Sequence, residues 1–273
     1  MSGRRHFVER TIEGLHAAIA RAMYADTLAG GAGLLQRLDP RVKLAGLLAL
    51  ILATSLSAKL WVIAAIFFGA VALAALSRLS LPSLLLPVWF SALTFTGAIA
   101  FPAIVLTPGL VVYRVPVVHW VVTSQGLTSA AFLILRAETS ATLALLLVFT
   151  TPWTHILKAL RVLRVPVVFV VALGMTFRYI LLLLETAQQM FESRKSRTVG
   201  RMDGADHRRL AISSGAVLLS KSFQLSGEVF LAMQARGFRG EVYVLDEFEL
   251  RPRDGVALAL FAGLSAAAIW AGR

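Results

Sequence analysis

Cysteine is absent from this 273-residue sequence, which excludes disulfides, thiolate metal sites and cysteine nucleophiles. Charge is also scarce: Asp, Glu, Lys and Arg make up 15% of the residues, where an ordinary soluble domain carries about 25%. A water-soluble fold is therefore not expected. No Gly-x4-Gly-Lys-Ser/Thr phosphate loop occurs, so the chain cannot bind and hydrolyse ATP by that route. His6, His16, His119, His155 and His207 are dispersed, with no pair at the three- or four-residue helical spacing of a dedicated metal site. Residues 4–26 mix Arg4, Arg5, Glu9, Arg10, Glu13, Arg21 and Asp26 with apolar residues, leaving no continuous apolar core of the kind a cleavable signal needs.

What the chain has is apolar length. Hydrophobic residues make up 58% of it, and the mean hydropathy is +0.75. A spanning helix needs about 20 mostly apolar residues, and several such runs follow one another across short polar connections. An all-α, multi-pass protein of the cell (inner) membrane is expected. The net charge of +12 suggests cytoplasmic loops, not nucleic acid, as the place for the cations.

Phe7, Ile12, Leu15, Ile19 and Met23 recur at helical spacing, which predicts an amphipathic helix on the bilayer surface. A glycine-rich hinge, Ala29 to Gly33, leads to Leu38-Asp39-Pro40-Arg41, where Asp39 can cap free N–H groups and Pro40 suits a first helical turn. A span starts there and runs to about Ser57, and Leu60 to Leu76 follows as the return limb of a hairpin. A third span covers Leu84 to Leu106 and contains Pro87 and Pro102, then a loop covers 107–126, then a fourth span runs from Leu127 to Thr150. Arg136 and Glu138 lie inside that fourth span. A charge at a helix centre costs about 2.5 to 3.5 kcal/mol, so Arg136 should face the bundle or a polar partner as a structural anchor.

Val165 to Leu184 poses a puzzle of orientation. With Arg37, Arg41 and Lys43 inside, a crossing there would put Arg194, Lys195, Arg197, Arg201, Arg208, Arg209, Lys221, Arg236 and Arg239 outside, against the positive-inside bias. Arg178 also interrupts the run. We therefore read residues 152–237 as long helices along the cytoplasmic face and Val256 to Ile269 or Trp270 as the fifth and last span, with six spans as the alternative. The domains are then an N-terminal surface helix and hinge (1–36), a four-helix membrane region (37–150), coupling helices (151–240), and a linker with the last span (241–273).

Two segments of this block end alike. In Ser193 to Gly200 and in Ala235 to Gly240 an Arg sits in the last helical turn and a Gly follows that can adopt a left-handed cap. Each would make a basic tip, with small Ser196 or Ala235 permitting close approach and the guanidinium of Arg197 or Arg236 forming forked hydrogen bonds in a partner's groove. Asp206 to Gln234 between them would span about 45 Å as one helix.

Leu38-Asp39-Pro40-Arg41 opening the first span, Thr151-Pro152 after the fourth, and Ala235-Arg236-Gly237 closing a long basic helix resemble the transmembrane T components of energy-coupling-factor transporters. Phe7-Val8-Glu9-Arg10-Thr11-Ile12 and Gly33-Leu34-Leu35-Gln36-Arg37 are similar to the cobalt and nickel branch, the CbiQ-like proteins. The resemblance implies two cytoplasmic ABC ATPase subunits that bind ATP and Mg and receive the tips. It also implies a substrate-binding membrane subunit held by the coupling helices, and no cofactor in this chain. Ala235, Arg236 and Gly237 match the tip pattern fully, while Ser196-Arg197-Thr198 keeps only the Arg. Asp39, Pro40, Arg41, Arg136 and Arg178 are the expected structural or coupling residues. Two rivals stand beside this non-catalytic reading. Asp203, Gly204, Asp206 and His207 could hold a divalent ion in a membrane transferase, although Asp206 also stands where a helix N-cap is needed. A self-sufficient secondary transporter would need inverted halves, and no such repeat is visible.

Overall fold

A computed structural model describes residues 13–17, 20, 27–31, 33–79, 86–108, 110–114, 121–197, 204–238 and 251–273. Its helices are α1 (Pro40–Leu56), α2 (Leu60–Leu76), α3 (Leu86–Leu106), α4 (Ser124–Thr150), α5 (Trp153–Val162), α6 (Val167–Arg197), α7 (Gly204–Ala235) and α8 (Pro252–Gly272). The fold is the expected all-α polytopic type. One departure is local: within the expected 107–126 loop, β1 (Val111–Arg114) and β2 (Val121–Thr123) pair antiparallel, Arg114 opposite Val121. The predicted surface helix lies largely outside the described residues, of which 13–17 are helical.

Helix ends follow their local chemistry. Asp39 caps α1 by accepting from the Arg41 N–H at 2.8 Å, with Pro40 in the first turn. α4 begins three residues before the expected Leu127, because Thr123 Oγ1 accepts from the Gly126 N–H at 3.1 Å and makes that glycine part of the first turn. α8 likewise begins at Pro252, not Val256, with Asp254 Oδ2 accepting from the Arg251 N–H at 2.9 Å. α7 opens at Gly204, which places Asp206 inside the first turn and not at the cap expected of it; there it still complements the helix dipole.

The chain forms two compact units, one of residues 1–25 and 160–247, the other of residues 26–159 and 248–273. The second is the membrane bundle. Its closest helix pairings are α3 with α4, α1 with α8, and α4 with α1 and α2. Leu47, Leu50, Leu143, Leu146 and Phe261 form its buried centre. Lipid is as apolar as leucine, so packing and interhelical hydrogen bonds hold such a bundle together, not the hydrophobic effect. Gly46 shows how close the packing is: a Cβ there would fall 2.5 Å from the Phe261 ring, so the ring of α8 lies against the bare backbone of α1.

Hydrogen bonds also set the direction of each helix. At one end of the bundle the Lys43 ammonium donates to the Thr150 carbonyl at 2.7 Å, and the Asp39 N–H donates to Asp254 Oδ1 at 3.0 Å. At the other end the Ala58 N–H donates to the Gly272 carbonyl at 2.9 Å. α1 and α8 therefore run parallel, and α4 ends on the face where both begin. The chain leaves the bundle at Thr150 and returns to it at Pro252 on that one face. By length and composition alone, α3, α4, α6 and α8 can cross a membrane, and the most apolar stretch among them is in α6, with a mean hydropathy of 2.4. α2, of 17 residues, is a shorter apolar helix. α1 and α2, of 17 residues each, reach about 26 Å at about 1.5 Å per residue, so flanking residues must snorkel or the bilayer must thin.

Candidate coupling site

α6 and α7 carry matched apolar stripes. Val168, Met175, Thr176, Tyr179 and Leu183 recur at three- and four-residue steps on α6, as do Ser222, Leu225, Val229 and Met233 on α7. That spacing puts each set on one helix face. The two faces enclose an open groove of about 600 Å³ with no charged residue in its lining. At the far end from this groove, Arg194 Nη1 donates to Ser213 Oγ at 3.2 Å and ties the end of α6 to α7. Near that end His16 Nε2 lies 3.6 Å from Glu192 Oε1, so the N-terminal segment also touches α6.

The described part of α6 runs to Arg197, with Ser196 and Arg197 exposed; Thr198 lies outside the described residues. α7 stops at Ala235, and Arg236 and Gly237 follow as an exposed turn. Gly237 has φ +74°, its N–H donates to the Gln234 carbonyl at 2.9 Å, and the Phe238 N–H donates to the Met233 carbonyl at 3.0 Å. This pair of bonds around one left-handed residue is a Schellman turn, which glycine adopts without the Cβ penalty. The same turn closes α5, where Arg164 takes the left-handed position at φ 64°. The tips lie towards opposite ends of α7: Arg194 is bonded to Ser213, so the end of α6 lies beside Ser213, roughly 33 Å from Ala235 at about 1.5 Å per residue.

The remaining expected residues divide. Asp39 and Pro40 start α1, with Arg41 between that cap and the first turn. Arg136 reaches from α4 to the Ser57 carbonyl at the end of α1 and lies over the Phe132 ring, 5.5 Å from its centroid. It bridges two helices, as a structural anchor would. Arg178 is exposed on α6 and is not among the groove-lining residues. Asp206 is exposed, Asp203 lies outside the described residues, and among the described residues no three His, Asp or Glu side chains gather into a metal-binding group. Sequence reading took Lys43 only as a topological cation and Asp254 only as linker, whereas both are buried and join α1 to α4 and α8. The available signal was a lysine one turn inside a span and an acidic residue two positions after Pro252.

The CbiQ cobalt transport protein family matches residues 31–244, a stretch that contains both tips, the groove and all spans but the last. The chain belongs to this family. An uncharacterized protein of Methanocaldococcus jannaschii is 30% identical over 260 residues, covering 93% of this chain and 87% of its own length. The cobalt transport protein CbiQ of Rhodobacter capsulatus is 30% identical over 152 residues, covering 54% of this chain and 59% of that protein. With its apolar spanning helices, this CbiQ family member is a multi-pass membrane protein of the cobalt transport class.

Proposed function

We propose that this chain is the transmembrane coupling subunit of an ATP-driven, energy-coupling-factor type importer for cobalt or nickel. It would carry motion from two cytoplasmic ABC ATPase subunits to a substrate-binding membrane subunit. The observation that carries the reading is the end of α7. There Ala235-Arg236-Gly237 is an exposed, hydrogen-bonded turn with a small residue before the guanidinium and a left-handed glycine after it. A guanidinium presented this way can make two parallel hydrogen bonds to a carboxylate inside a groove.

The second arginine tip lies roughly 33 Å or more away along α7, a separation suited to two ATPase subunits. The face on which α4 ends and α8 begins is then the cytoplasmic one. The apolar groove between α6 and α7 is what the chain offers to the membrane partner, whose helix would fill an uncharged cleft. ATP and Mg are held by the ATPase subunits; this chain lacks a phosphate loop and works without catalysis. Replacing both arginines (Arg197→Ala with Arg236→Ala) is expected to abolish ATPase co-purification and metal uptake while membrane insertion is retained. Uptake at the unaltered rate in that double variant defeats the assignment.

A further inference from the structure

The turn that presents Arg236 does a second thing. Its glycine reverses the chain, so that Phe238 folds back towards Met233, to whose carbonyl its N–H is bonded at 3.0 Å. Phe238 and Met233 both line the groove between α6 and α7, at the end where α6 contributes Val168. Two residues after the tip arginine, the chain is therefore already part of the groove wall.

We propose that Phe238 is the positioning residue through which the docked Arg236 tip sets the width of that groove. This rests on the docking reading above and names the element that transmits it. Between Arg236 and Phe238 there is one residue, Gly237, and the turn around it is held by two backbone hydrogen bonds, 2.9 and 3.0 Å long. A partner that holds the guanidinium and shifts the backbone of Arg236 carries the ring with it unless those bonds break. The groove lining holds no charged group, so its response to a moved ring is repacking of apolar walls.

The first tip is built differently. The lining residues nearest to it, Leu183 on α6 and Ser222 on α7, stop short of it, and the Arg194 to Ser213 hydrogen bond holds the two helices together there. Arg194 thus ties the two helices near the first tip, and Arg236 works the groove at the other.

The absence of cysteine allows a clean test. Spin labels on a Thr176→Cys, Ser226→Cys pair report the groove width in the complex with the ATPase subunits, with and without ATP and Mg. The distance is expected to change on nucleotide addition. In Phe238→Ala that change is lost while the ATPases still co-purify, and in Phe238→Leu it returns in part; a merely structural role would lower recovery without uncoupling the two readouts. An undiminished change in Phe238→Ala overturns the proposal and leaves the docking reading standing. Retained co-purification in Arg236→Ala with Arg197→Ala overturns the docking reading and the proposal with it. Should Phe238→Ala itself fail to assemble, Phe238→Leu decides: assembly with a reduced change supports the proposal, and assembly with a full change sinks it.

Discussion

Asp254→Ala should unclip α8 from α1. The carboxylate is 2% exposed and accepts two backbone hydrogen bonds, from Asp39 at 3.0 Å and from Arg251 at 2.9 Å. Alanine leaves the Asp39 N–H buried without an acceptor, which costs about 1 to 3 kcal/mol. It also removes the cap of α8, worth about 0.5 to 2 kcal/mol. Together these come to about 1.5 to 5 kcal/mol, or a fall of at least about 3 °C at roughly 2 to 4 °C per kcal/mol for a chain of this size. The assay is thermal unfolding of the detergent-solubilised protein, with Asp254→Asn as the control. Asparagine keeps one carbonyl oxygen for the Asp39 N–H and should recover about half of the loss. A melting temperature for Asp254→Ala within about 1 °C of the parent would refute the view that this carboxylate holds the two helices in parallel.

Other expectations follow from the same bundle. Lys43→Met keeps the volume but leaves the Thr150 carbonyl without its donor, and should cost about 1 to 3 kcal/mol in the same unfolding assay. Gly46→Ala should cost about 1 to 3 kcal/mol through Phe261, whose Cβ and ring the new methyl would both meet. Glu138, 8% exposed in the middle of α4, has both carboxylate oxygens without a hydrogen-bond partner among the described residues. Glu138→Leu should therefore raise stability by about 1 to 3 kcal/mol, and a destabilised variant would show that the carboxylate serves a partner. A cysteine at Ser213 should react with an impermeant thiol reagent in inside-out vesicles and not in intact cells; labelling from outside would reverse the orientation given to α7.

Helix boundaries were legible wherever the signal was local. Leu60 to Leu76 is the helix expected from its apolar run. Asp39-Pro40 opens α1 through a contact two residues long, and Arg236-Gly237 ends α7 through bonds within one turn. Boundaries slipped where a cap outranked hydrophobicity, as at Thr123 and at Arg251 to Asp254, because a polar capping turn ahead of a span resembles a loop in composition.

The sequence by itself determined the class of the protein: apolar runs of spanning length, few charges and two arginine-tipped helix ends depend only on composition and on neighbours a few residues apart. The tertiary structure decided what joins distant parts of the chain. That α1 and α8 run parallel and that α4 ends where both begin rests on Asp39 meeting Asp254 across 215 positions and Lys43 meeting Thr150 across 107, pairings that no local periodicity encodes. That Phe238 belongs to the groove depends on which way one glycine turns the chain, and on a facing helix whose stripe matches. Local chemistry ends a helix, but only packing decides what that end lies against.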